Sequence, residues 1–258
     1  MLRFFRQIRK KLMEQNKTRT YIFYAIGEIA LVMIGILLAL QVNNWNESRK
    51  ILQEEQYLLK ELNKEFSINL SLIERDIDGN INNRNATNEL MEMFHGGVEN
   101  FNVKKMDSLL INVFSATSYD PSTGVVEEII SSSKLRLLQD DSLRYMISQW
   151  PSVLIDQAED IRIRATHFEE FLLPAVMKAV PFKNSNPYVN FDFWAENYER
   201  ATLSPSAFET RPENFVTSEM ESLLFTNSMN QDFIIMNDLN TKAFIENILA
   251  QIQLNLKP

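Results

Sequence analysis

"YAIGEIALVMIGILLALQVNNWNE", Tyr24–Glu47, decides how the rest of the chain is read. With the residues before it, Tyr21–Leu40 forms an apolar run broken by a single charge, Glu28. As a helix, a run of that length spans about 30 Å, the thickness of the hydrocarbon core of a bilayer. The run is longer than the apolar part of a secretory leader. Leu37-Leu38-Ala39 is a poor cleavage site, so the reading is an uncleaved anchor.

Charge gives the direction. Residues 1–20 carry Arg3, Arg6, Arg9, Lys10, Lys11, Lys17 and Arg19 against Glu14, whereas residues 41–258 carry 19 basic and 32 acidic side chains. Basic flanks stay on the cytoplasmic side and meet anionic headgroups there. The expected layout is a basic cytoplasmic arm (1–20), a transmembrane helix (21–42), a helical stalk (43–95) and a helical extracytoplasmic domain (96–258). Trp45, among Asn43, Asn44 and Asn46, is placed as the anchor at the outer interface.

Glu28 is the anomaly of the span. A charge inside the bilayer costs about 2.5–3.5 kcal/mol on insertion scales, which calls for a role. Helical spacing puts Glu28, Gly35 and Ala39 on one face. Gly35 and Ala39 form a small-xxx-small pair that lets helices approach closely, and a carboxyl on the same face can hydrogen-bond a partner helix. Glu28, Gly35 and Ala39 are therefore the candidate helix-interaction residues. The expected partners are the lipid bilayer and a membrane or envelope protein, or a second copy, met through the span.

The remainder reads as all-α. Glu47–Phe94 carries Leu52, Leu59, Leu62, Phe66, Leu70, Ile73, Ile77 and Ile81 at helical spacing. Asp78-Gly79-Asn80 is expected to weaken this helix and His95-Gly96-Gly97 to stop it. Further helices are expected at Lys105–Ser118, Val125–Leu138, from an Asp140 or Asp141 cap toward Val180 with Pro151 and Pro174 as interruptions, and at Thr217–Thr226 and Asn230–Leu256. Residues 174–212 are rich in proline and hold Phe182, Tyr188, Phe191, Phe193, Trp194, Tyr198 and Phe208. Such a stretch is too aromatic for a disordered linker and is read as a loop packed on the helices, the alternative being an exposed partner-binding surface.

Known chemistry is hard to find. The absence of cysteine excludes thiol catalysis and thiolate metal sites. Six glycines form neither a G-x-G-x-x-G nor a Walker A loop, and there is no G-x-S-x-G. Glu92 and His95 match one Glu-x-x-His half-motif of di-iron bundles, but Arg164 stands where His167 would need its glutamate. No catalytic, cofactor or metal residue is assigned. Acidic pairs Asp140-Asp141 and Glu169-Glu170 are read as solvated, and the acidic balance opposes nucleic acid.

The quoted span, with the preamble "FFRQIRKKL" and the block "STGVVEEIISSSKLRLLQDDSLR" at 122–144, resembles an uncharacterised bacterial family of single-pass membrane proteins. The resemblance implies an envelope location and marks Gly27, Glu28, Gly35, Asn43, Asn44, Trp45 and Asn46 as motif positions; it implies no catalytic residue. The reading is thus a non-enzymatic interaction or scaffold module, anchored in the inner membrane with its C-terminal domain in the periplasm. The alternatives are a ligand-sensing helical domain acting through a membrane partner, and a hydrolase built on two facing carboxylates.

Overall fold

The computed structural model describes Gln7 and residues 18–115, 117–189 and 203–257. Most of the basic arm and the aromatic residues Phe191, Phe193, Trp194 and Tyr198 lie outside the described residues. The described residues are helical and contain no strand, as the periodicity predicts. Helix α1 is Thr18–Glu92, α2 Val103–Phe114, α3 Gly124–Ser131, α4 Asp141–His167, α5 Leu173–Ala179, α6 Pro212–Phe215 and α7 Ser218–Asn255. Two compact units divide the chain, residues 1–57 and 58–258.

In the first unit, α1 carries the apolar run. An 18-residue window reaches a mean hydropathy of 2.3 with none of it buried. Leu31, Val32, Met33, Ile34, Ile36, Leu37 and Leu38 are all exposed, so apolar side chains point outward all round the helix.

In the second unit the same helix obeys a different pattern. Leu59, Leu62, Phe66, Asn69, Ile73, Asp76, Asn80, Asn83, Thr87 and Leu90 follow each other at alternating steps of three and four, and every one is buried. This is a heptad seam, the spacing at which a helix keeps one face against its neighbours. Helix α7 has the same pattern: Met220, Leu224, Asn227, Gln231, Ile234, Asp238, Thr241, Ile245, Ile248 and Ile252. Cross-links between the two run in opposite directions. Asn63 meets Gln253, Glu74 meets Lys242, Arg84 meets Asp232 and Asn88 meets Ser228. The pair is therefore antiparallel, and α4 packs along α7. Residues 43–95 are consequently not all stalk. From Leu58 onward the helix is a central element of the bundle, because its seam has two partner helices to bury it.

Two punctuation marks act differently from expectation, and a third, Pro174, interrupts its helix as read. Asp78-Gly79-Asn80 does not weaken α1, which passes through it unbroken. Gly79 is there for contact: a Cβ at this position would stand 2.7 Å from Thr117 Cγ2 and Oγ1. Pro151 lies inside α4 without ending it. Before Pro174, a π-helical turn at Phe168–Leu172 inserts one residue into the seam. The seam of α4 runs Leu143, Ile147, Trp150, Gln157, Arg164; after the turn it is Leu172 that is buried and Phe171 that is exposed. The helix expected at Val125–Leu138 ends earlier, at Ser131, with Ser133 at φ 58° and a 3-10 turn after it. The two helices expected after Thr217 are one. Asp140 caps α4 as read, accepting from Leu143 N at 2.6 Å.

The seams enclose two apolar cores. One gathers Leu59, Leu62, Phe66, Ile73, Ile147, Trp150, Ile245, Ile248 and Ile252, with Trp150 edge-on to Phe66 at 5.1 Å. The other gathers Leu90, Met106, Leu110, Leu172, Val176, Phe215 and Leu224. In residues 174–212, Phe182 packs on Phe114 at 4.6 Å whereas Phe208 is exposed.

Candidate functional site

Between the two cores the seams turn polar. Helix α1 supplies Asp76, Asn80, Asn83 and Thr87, α4 supplies Gln157 and Arg164, and α7 supplies Asn227, Gln231, Asp238 and Thr241, all buried. The centre of this belt is Asn80. Its Nδ2 donates to Asp76 Oδ2 at 3.2 Å and to Asp238 Oδ2 at 3.1 Å, so one amide bridges two carboxyls from different helices. Gln157 Nε2 donates to Asp238 Oδ1 at 2.5 Å. The Thr117 hydroxyl lies 3.4 Å from Asn80 Oδ1, where the missing side chain of Gly79 lets the loop come in. Arg164 reaches the same loop, donating to Thr117 O at 3.4 Å. One turn along, Asn227 Nδ2 donates to Thr87 Oγ1 at 3.1 Å, and Asn83 Nδ2 to Val113 O at 2.9 Å.

Two acids and one guanidinium share this buried volume, and their titration follows from it. Burial pushes Asp238 up to about 7, helped by the charge of Asp76 and opposed by Gln157, Asn80 and Arg164. Burial also raises Asp76, against hydrogen bonds from Thr117 and Asn80 and the charge of Arg164. Arg164 is pulled below its ordinary value by burial, against Asp76 and Asp238. Tyr119 is pushed up by burial, then by Asp238 and Glu65. Burial and each other's charge thus favour the protonated form of both carboxyls, while Arg164 opposes it.

Below the belt a second polar contact fixes the loop before α3. Glu65 accepts from Val125 N at 2.7 Å and Val126 N at 3.1 Å, so a carboxylate from α1 caps the N-terminus of α3. Asn69 makes a reciprocal pair with Ser122: Asn69 Nδ2 donates to Ser122 O at 2.8 Å and Ser122 N donates to Asn69 Oδ1 at 2.7 Å. The block beginning at Ser122 thus reads as one half of a clasp whose other half is Glu65 and Asn69, one turn apart on α1.

The residues singled out from sequence lie elsewhere. Glu28, Gly35 and Ala39 share a face of the first unit; Glu28 is half-buried, and nothing stands within 4 Å of where a Cβ on Gly35 would be. Trp45 is exposed. Glu92 and His95 form an exposed pair at 3.5 Å, and His167 Nε2 sits 3.0 Å from Leu223 O. Among the described residues no group of three or more His, Asp or Glu is placed to hold a metal ion. Two carboxyls do face each other at Asn80, but Asp76 is 3% and Asp238 0% exposed, so no glycan-sized substrate reaches them. Two surface cavities lie elsewhere, about 540 Å³ beside Glu170, Lys178 and Glu213 and about 480 Å³ beside Glu92, His95 and Phe225.

The belt does not stand out in the sequence because its members are polar, whereas a buried seam is ordinarily marked by apolar residues. The signal was the step: Asp76, Asn80, Asn83 and Thr87 continue the three-four progression set by Leu59, Leu62 and Phe66. Residues 28–152 match a family of unknown function, DUF6090. That stretch holds the span from Glu28 onward, the α1 seam, the clasp and the first part of α4. Neither a curated protein nor a solved structure matches the chain.

Proposed function

We propose that this is a single-pass protein of the bacterial inner membrane, with its N-terminus in the cytoplasm and its helical bundle outside, acting as a non-enzymatic protein-interaction module. The observation that carries the reading is the contrast along α1. Around residues 26–42 apolar side chains are exposed on every side, whereas from Leu58 the helix buries one seam and leaves polar residues outside. A helix apolar all round suits hydrocarbon; a helix apolar along one stripe suits water. The basic residues before the span favour the cytoplasm for the N-terminus. An interaction role is supported by where the polar chemistry sits, in a belt sealed from substrates. Glu28, with Gly35 and Ala39 on its face, remains the contact proposed within the membrane.

The chain lacks cysteine, so one introduced thiol reports on one place. Gln7→Cys and Ser131→Cys are to be treated in spheroplasts with a membrane-impermeant maleimide. Labelling at 131 but not at 7 is expected. Labelling at 7, or protection of 131 until the membrane is opened, overturns the orientation.

A further inference from the structure

At one level of the polar belt, buried oxygens are left without hydrogen bonds. Asp238 is served on both sides, by Gln157 at Oδ1 and Asn80 at Oδ2. Asp76 takes Asn80 on Oδ2, but its Oδ1 has no hydrogen-bond partner, and neither has Gln157 Oε1 or Thr241 Oγ1. Asp76, Gln157 and Thr241 are 3%, 3% and 1% exposed, and an unmatched polar atom at that depth calls for a partner. Three helices bring them together. Gln157 of α4 bonds Asp238, which stands one turn before Thr241 on the α7 seam. Glu74 meets Lys242 across the antiparallel pair, so Asp76, two positions further along α1, stands level with Asn240, beside Thr241. The unpartnered N–H groups of these helices, Trp150 Nε1, Arg164 Nε and Gln231 Nε2, each lie seven positions, about two turns, from Gln157 or Asp238. We propose that a monovalent alkali cation binds here, between Asp76 Oδ1, Gln157 Oε1 and Thr241 Oγ1.

Charge selects the occupant. Asp76 and Asp238 face one guanidinium, Arg164. The other charges that act on the belt, Asp120 on Asp76 and Glu65 on Tyr119, are negative too. With both carboxyls ionised, the belt holds a negative charge that nothing in the chain offsets, and buried charge is paired or bound to a metal ion. Water fills the lone pairs without neutralising anything, and a divalent ion leaves the core net positive. One positive charge closes the balance, and donors that are all oxygen suit a hard cation. One carboxylate with two neutral oxygens is a different set from the groups of His, Asp and Glu sought above. The belt shuts out a glycan, whereas a bare ion needs only the local opening by which core amides exchange. The site lies wholly in the second unit and does not depend on the membrane reading.

An ion that binds only the folded chain stabilises it. The full-length protein in detergent at pH 8 is to be melted in choline, sodium and potassium chloride at equal ionic strength. A melting temperature at least about 2 °C higher in sodium or potassium than in choline is expected. Asp76→Asn keeps the shape, and Thr241→Val removes one oxygen at similar volume; circular dichroism checks that each is as helical as the parent. The gain is expected to vanish in Asp76→Asn and to need several-fold more salt in Thr241→Val. Glu219→Gln, at the exposed start of α7, is expected to retain it. Equal melting in the three salts overturns the proposal. So does a gain that survives Asp76→Asn, or one lost equally in Glu219→Gln, which would trace the effect to surface charge. Should Asp76→Asn prove unfolded, an unchanged salt dependence in Thr241→Val overturns it.

Discussion

Gly79 is the residue at which helix propensity and packing give opposite signs. In an exposed helix interior, Gly→Ala stabilises by about 1 kcal/mol. Here the added methyl meets Thr117 at 2.7 Å, and Thr117 cannot retreat without leaving Asn80 and the carbonyl contact of Arg164. Gly79→Ala is expected to destabilise the bundle by about 1–3 kcal/mol, the usual cost of overpacking. Denaturant unfolding of the full chain in detergent measures it; a stabilised variant refutes the close approach. From sequence Gly79 looked like a weak point of the helix, because the residue that needs its space lies 38 positions away and no local pattern announces it.

At the level of elements, α3 is a short helix that does not cap itself. Thr123 stands at its N-cap without a side-chain bond to the backbone, and Glu65 takes over from α1. Glu65→Ala leaves two N–H groups unpaired at a largely buried helix start. A loss of about 2–3 kcal/mol is expected, the scale for hydrogen bonds to a charged group. Hydrogen exchange at Val125 and Val126 is expected to speed up more than exchange on α7. Equal changes on both helices would show global loosening, not a lost cap. The existence of the helices, the cap at Asp140 and the stop at Gly97 were legible in the sequence, since each is written in neighbouring residues. The α1 seam was half legible. Leu59, Leu62, Phe66 and Ile73 were found, but apolar continuity led on to Ile77 and Ile81, where the seam runs through Asp76 and Asn80. A polar side chain is tolerable in a core only if partners satisfy it, and those of Asn80 include Asp238, 158 residues on.

For the bundle as a whole, the belt makes stability depend on pH. Unfolded, Asp238 titrates near 3.9, in the ordinary range; folded, it titrates at about 7. The raised value means that the folded form keeps a proton the unfolded chain has released. The stability this group contributes is therefore complete below about pH 4 and is lost as pH rises through about 7. The slope approaches 1.4 kcal/mol per pH unit between those values. Asp107, raised by burial to about 6, slopes the same way, so the informative comparison is with a single variant. Asp238→Asn keeps the shape and removes the titration. Its melting temperature is expected to fall less between pH 5 and pH 8 than that of the parent chain. Parallel curves would show that Asp238 is not the group responsible.

The same belt settles a question that hydrophobicity leaves open. A rod with grease on both flanks has no preferred way to roll, and one carrying even teeth has no preferred place to stop. Were α7 rotated to bury Phe225 and Phe233, or slid by the one turn that brings Ile234 to this level, Asp76 and Gln157 would face hydrocarbon in place of Asp238. Polar residues in a seam lower stability yet single out one alignment among many. In this bundle the mismatch penalty tells the helix which flank is the inside.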